Sequence, residues 1–137
     1  MARKVILALV GMVAVMVIVF NVAGVRIDPS IANNVGTAGP PPQSVEAAKR
    51  ALRAEAQVKD FIYQPGQAVE WQVGVLDDGS SRVGYASYVC QLLDEHGAST
   101  PKTHVRVVDI VKISQGVNAR SASLGHVACA DFRVIVP

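Results

Sequence analysis

Cys90 and Cys129, the histidines His96, His104 and His126, and the acids Asp77, Asp78 and Asp109 are the side chains in this 137-residue sequence whose type and spacing raise a chemical question. A zinc site built from the cysteines and histidines fails on geometry. His126 and Cys129 are three apart, which turns them to opposite faces of a strand, and Cys90 and His96 are about 240° apart around a helix. There is no CxxC, HExxH or CxxCH, so no metal and no cofactor is expected. The two cysteines are instead expected to form a disulfide joining a helix to the last strand, against the alternative of two buried free thiols.

Asp77 and Asp78 follow a predicted strand and precede a predicted helix, the place where open α/β sheets bind ligands. Paired carboxylates there could hold a cation or act as general acid and base, and with His104 they could form a small hydrolase site. Asp77, Asp78 and His104 are therefore the ligand-binding candidates. The simpler reading of Asp77-Asp78-Gly79-Ser80 is turn and helix-cap chemistry. Asp109 interrupts the apolar run VRVVDIVKI. It is expected to be a structural buried acid, partnered by Arg106, Arg133 or a backbone donor, because an unpaired buried carboxylate is costly. GxSxG, P-loop and GxGxxG motifs are absent from the sequence, no catalytic residue is assigned, and the chain is expected not to be an enzyme.

The elements that must position these residues follow from periodicity. Ser44 can cap a helix over residues 45–62, in which Ala47, Ala51, Ala54, Val58 and Phe61 fall on one face, with Gln64-Pro65-Gly66 as its stop. Val69, Trp71, Val73 and Val75 alternate with Glu70, Gln72 and Gly74, the period of a strand with one buried face. Residues 82–96 fit either a second hairpin strand or a helix. The helix is preferred because Tyr85, Val89, Leu92 and Leu93 share one face and Gly97 is placed to end it. Residues 103–113 read as a strand covered on both faces, and 124–136 as a strand broken near Asp131. The expectation is an α+β domain over residues 44–137, ordered α-β-α-β-β, with a three-stranded mixed sheet whose first two strands are parallel across a helical crossover.

Composition adds topology. Residues 5–25, VILALVGMVAVMVIVFNVAGV, hold 18 apolar residues of 21, with Arg3 and Lys4 before them. A helix of that length spans about 31 Å, the thickness of a hydrocarbon core. The expectation is a membrane anchor contacting lipid, its N-terminus inside and the domain periplasmic or extracellular, with a cleaved signal peptide and a secreted product as the alternative. Residues 26–43 carry four prolines and read as an extended linker.

The +2 net charge belongs to Arg3 and Lys4, since beyond them 11 Lys and Arg balance 11 Asp and Glu. That balance argues against nucleic acid as a partner. The function expected is a membrane-anchored envelope protein acting through protein–protein contacts of its outward domain. A secreted small-ligand-binding module is the alternative, and a small hydrolase a third reading.

Overall fold

The computed structural model describes residues 39–136. The anchor expected over residues 5–25 and most of the linker lie outside the described residues. Among the described residues no helix is long and apolar enough to cross a membrane.

The chain enters the domain through helix α1 (Pro42–Ala54), which starts inside the proline run rather than after Ser44. Pro42 stands in the first turn, where a fixed φ suits the helix and a missing N–H costs nothing. Val45, Ala48 and Leu52 form the buried face. The helix stops at Ala54, eight residues short of the expected end, and residues 60–64 form strand β1 (Asp60–Gln64) instead. Residues 60–64 read DFIYQ, which suits a strand, and their pairing decides the matter: β1 runs antiparallel to β2 (Val69–Val75), with Phe61 opposite Val73 and Tyr63 opposite Trp71. The Tyr63 and Phe61 rings lie 4.7 and 6.4 Å from the Trp71 ring. Pro65-Gly66 thus closes a hairpin and does not merely end a helix.

Helix α2 (Val83–Glu95) follows, which settles the helix-or-strand ambiguity of residues 82–96. Gly97 ends it at φ +66°, and the N–H groups of Gly97 and Ala98 donate to Asp94 and Leu93 at 2.9 and 2.8 Å. This is the left-handed glycine cap that absorbs a helix's last free carbonyls. Strand β3 (Thr103–Asp109) then pairs parallel with β2 in unbroken register, from Val69 with Thr103 to Val75 with Asp109. It ends at Asp109, four residues before the predicted bound of 113, because that residue caps a short helix, α3 (Ile110–Ser114). Strand β4 (Ser123–Ala128) pairs antiparallel with β3, and β5 (Arg133–Val134) with β4, the break falling at Asp131 and Phe132.

The fold is α+β, with a five-stranded mixed sheet ordered β1-β2-β3-β4-β5. The three strands expected from periodicity form its centre. The hairpin strand β1 and the two-residue β5 extend it at both edges; in β1 the consecutive apolar residues Phe61, Ile62 and Tyr63 mask the alternation, and β5 is too short to show a period.

One hydrophobic core joins the helices to one face of the sheet: Leu52 of α1 and Val89 and Leu93 of α2 pack with Trp71, Val73, Val105, Val107 and Val127. The helix lies so close that a Cβ on Gly125 would meet the backbone of Arg82 and Val83 at 2.6 Å. Cys90 and Cys129 are joined as a disulfide, with Cα atoms 5.2 Å apart, pinning α2 to the residue after β4 across 39 positions. Loop-closure entropy for that span corresponds to about 4 kcal/mol.

Two outcomes test this architecture. Gly125→Ala should destabilise the domain by about 1–3 kcal/mol, because backbone must move. Gly84→Ala, in open space on the exposed start of α2, should be neutral or stabilising by up to about 1 kcal/mol. Equal denaturation midpoints for the two variants would contradict the close helix–sheet approach. In a thiol assay of denatured, unreduced protein no free thiol should react, and Cys129→Ser should lower stability by about 2–4 kcal/mol.

Candidate functional site

Alternation along the strands gives the sheet a second face, turned away from α1 and α2, and the register assembles polar residues on it. Gln72, Arg106 and His126 stand side by side across β2, β3 and β4, and Glu70 and His104 form the adjacent row. The Arg106 Nε–H donates to Glu70 Oε1 at 3.0 Å, and the Gln72 amide donates to the same oxygen at 3.2 Å. The His104 and His126 rings lie 5.6 Å apart. Arg106 is 9% exposed and His126 8%.

A buried charge requires a counter-charge, and Glu70 supplies it for Arg106. His126 has no such compensation. Burial, and then the positive charge of Arg106, push its pKa down to about 4, which keeps the imidazole neutral near neutral pH. Its Nε2 is buried with no hydrogen-bond partner.

His104 therefore belongs with Glu70, His126 and Arg106, not with Asp77 and Asp78. It pairs with Glu70 near the start of β2, whereas the two aspartates lie beyond Val75, the strand's other end, itself about 16 Å along the sheet from Glu70. Asp77 accepts the Gly79 N–H at 2.8 Å, and Asp78 accepts the N–H and hydroxyl of Ser80 at 3.0 and 2.6 Å. Arg82 pairs with Asp78 at 2.9 Å. The Ser80 bonds hold the Asp78 carboxyl below the ordinary range, so it stays ionised rather than serving as an acid near neutrality.

Asp109 is 6% exposed and accepts the Val111 N–H at 2.9 Å, with Lys112 Nζ at 3.7 Å. Its partner is the backbone donor; Arg106 is engaged with Glu70, and Arg133 lies beside Asp131. Among the described residues no three His, Cys, Asp or Glu side chains converge as metal ligands.

A groove of about 650 Å³ lies beside the Cys90–Cys129 disulfide. Asp94 and Glu95 line it from the last turn of α2, Thr100 and Pro101 from the following turn, and Phe132 from the turn between β4 and β5. Two carboxylates occupy the negative end of a helix whose last turn has no basic residue, so the negative potential there is reinforced. Phe132 is 46% exposed and holds φ +54°, a conformation that bulky residues rarely adopt and that costs about 1–3 kcal/mol. The neighbouring Cys129 is anchored both by the disulfide and by its N–H to the Thr103 carbonyl at 2.9 Å.

Sequence reasoning missed Glu70, Gln72 and Arg106, the last offered only as a partner for Asp109, and the groove residues other than the two cysteines. The strand alternation carried the signal for the first three, but grouping them with His126 requires the β2–β3–β4 register, which no local pattern states.

The pH dependence of stability tests the cluster. Folded His126 takes up a proton only near pH 4, against an ordinary value of 6.5, so between these values the unfolded chain binds the extra proton. This contribution to stability is full above pH 6.5 and is lost as the pH falls toward 4. Urea midpoints measured from pH 7.5 to 4.5 should decline in the native chain and decline less in His126→Gln; parallel declines would refute the buried neutral imidazole. Comparison with protein-family models, with curated proteins and with solved structures finds no match to this chain, and its site is defined by the geometry above.

Proposed function

We propose that the chain is a single-pass, membrane-anchored envelope protein whose exported α+β domain acts through protein contacts, with the groove beside the disulfide as its contact surface. The observation that carries this reading is the disulfide-floored groove. A disulfide is consistent with an oxidising, non-cytoplasmic compartment, which agrees with the charge asymmetry around residues 5–25. The groove has what a contact surface uses: a half-exposed aromatic on its rim and a rigid floor. Asp94 and Glu95 select a basic partner segment.

The groove's volume also lies in the range of small-molecule sites, which supports the alternative of a secreted ligand-binding module released by signal cleavage. Intact-mass measurement of the mature protein separates the two, since the anchored form retains residues 1–25.

For the leading reading, a photo-crosslinker is placed at Phe132 in the full-length, membrane-inserted chain, and at Gln115, exposed beyond the other end of β3, as the control. A discrete protein adduct should form from Phe132 and not from Gln115. It should weaken at least about fivefold when Asp94 and Glu95 are both changed to Lys, as expected for a charge-selected partner. Adducts of equal yield from both positions, or from neither, would remove the groove as a protein contact surface.

A further inference from the structure

His126 Nε2 is a polar atom buried without a partner on a residue more than nine-tenths buried, and leaving such a group unpaired forfeits the hydrogen bonds it makes in water. A core position with no other role tolerates an apolar residue there. The atom does not stand alone. Arg106 is directly opposite His126 in the β3–β4 register, also nine-tenths buried. Glu70 takes its Nε–H, and a guanidinium carries four further N–H donors arranged as a planar fork.

We propose that Arg106 and His126 form a binding site for a carboxylate group on the sheet face turned away from α1 and α2. The planar fork of Arg106 matches a carboxylate, and an Nε2–H on His126 supplies a third donor, the arrangement that gives charge-assisted bonds their strength. The Glu70 carboxylate, 3.0 Å from Arg106, sets the charge of the ligand. It neutralises the Arg106 charge and leaves Arg120 as the remaining fixed positive charge facing His126, so a monoanion is favoured over a phosphate dianion.

The groups facing His126 are Arg106, Glu70, His104 and Arg120. A carboxylate beside the imidazole offsets the Arg106 charge and favours the protonated ring. Binding therefore raises the affinity of His126 for its proton, and by linkage the site binds more tightly as pH falls.

The test uses the full-length protein in detergent micelles, with formate as the probe, phosphate as the competitor class and chloride at matched ionic strength as the control. Histidine-selective NMR should show saturable formate-dependent shifts of the His126 ring, with binding about two- to fivefold tighter at pH 5.5 than at pH 7.5. His126→Gln keeps a donor near the Nε2 position and should retain formate-dependent thermal stabilisation while losing the pH dependence. His126→Leu should lose the stabilisation, with circular dichroism confirming that it is folded. If His126→Leu does not fold, the Gln variant and the native NMR titration decide. Absence of saturable shifts, equal effects of chloride, binding of phosphate as tight as formate, or undiminished stabilisation in folded His126→Leu would each overturn the assignment. The groove beside the disulfide takes no part in these measurements.

Discussion

The parallel pairing of β2 with β3 is the constraint on which the rest of the domain depends. Two adjacent parallel strands cannot be joined by a turn; the chain must climb back across one face, and here it does so as α2. That crossing fixes which face is apolar, because Val69, Trp71, Val73 and Val75 must meet the helix together with Val105 and Val107. It also fixes the ends. The carboxyl ends of both strands meet at Asp77, Asp78 and Asp109, while their amino ends bring Glu70 beside His104. The C-terminus of α2 returns to the amino end of β3, where Cys90 reaches Cys129 and the groove opens. The groove and the polar cluster are thus both consequences of one strand pair.

What the sequence made legible was whatever repeats within one element. The alternation of residues 69–75 predicts the central strand and its buried face; the shared face of Val89, Leu92 and Leu93 and the position of Gly97 predict α2 and its end. The cysteine pairing followed from compartment and domain size rather than from pattern, and the structure places the two sulfurs together. The failure over residues 55–62 has a specific cause. Val58 and Phe61 continue a helical spacing from Ala47, Ala51 and Ala54, but a strand that buries Phe61 and Tyr63 against Trp71 gains aromatic contact that an isolated helical turn could not match. The shortening of β3 has another cause. Asp109 was legible as an anomaly in an apolar run, yet whether it is an ion-pair partner or a helix cap depends on the turn that follows, and the cap was the outcome.

The site residues divide along the same line. Asp77 and Asp78 are neighbours in sequence and remain neighbours in space, so both their pairing and their turn bonds could be read locally. His104 was grouped with them by residue type alone, and the strand's length separates it from them. Its actual company, Glu70, Arg106 and His126, comes from three strands separated by a helix and a loop. No spacing rule spans that distance; only the register does.

The two faces of the sheet differ in what they can contribute to stability. The helix-facing side is nearly all apolar and gains from burial in the ordinary way. The other side buries a guanidinium and an imidazole beside a partly exposed carboxylate, an arrangement in which apolar residues of similar size would be as stable or more so. A domain of this size has little stability to spare and already relies on a disulfide across 39 positions. Keeping an unpartnered imidazole beside a buried charge in such a domain works against the stability that the cross-link supplies. The cross-link and the polar face thus act in opposite directions on one small domain: constraining the unfolded chain between α2 and the residue after β4 offsets part of what the polar face costs.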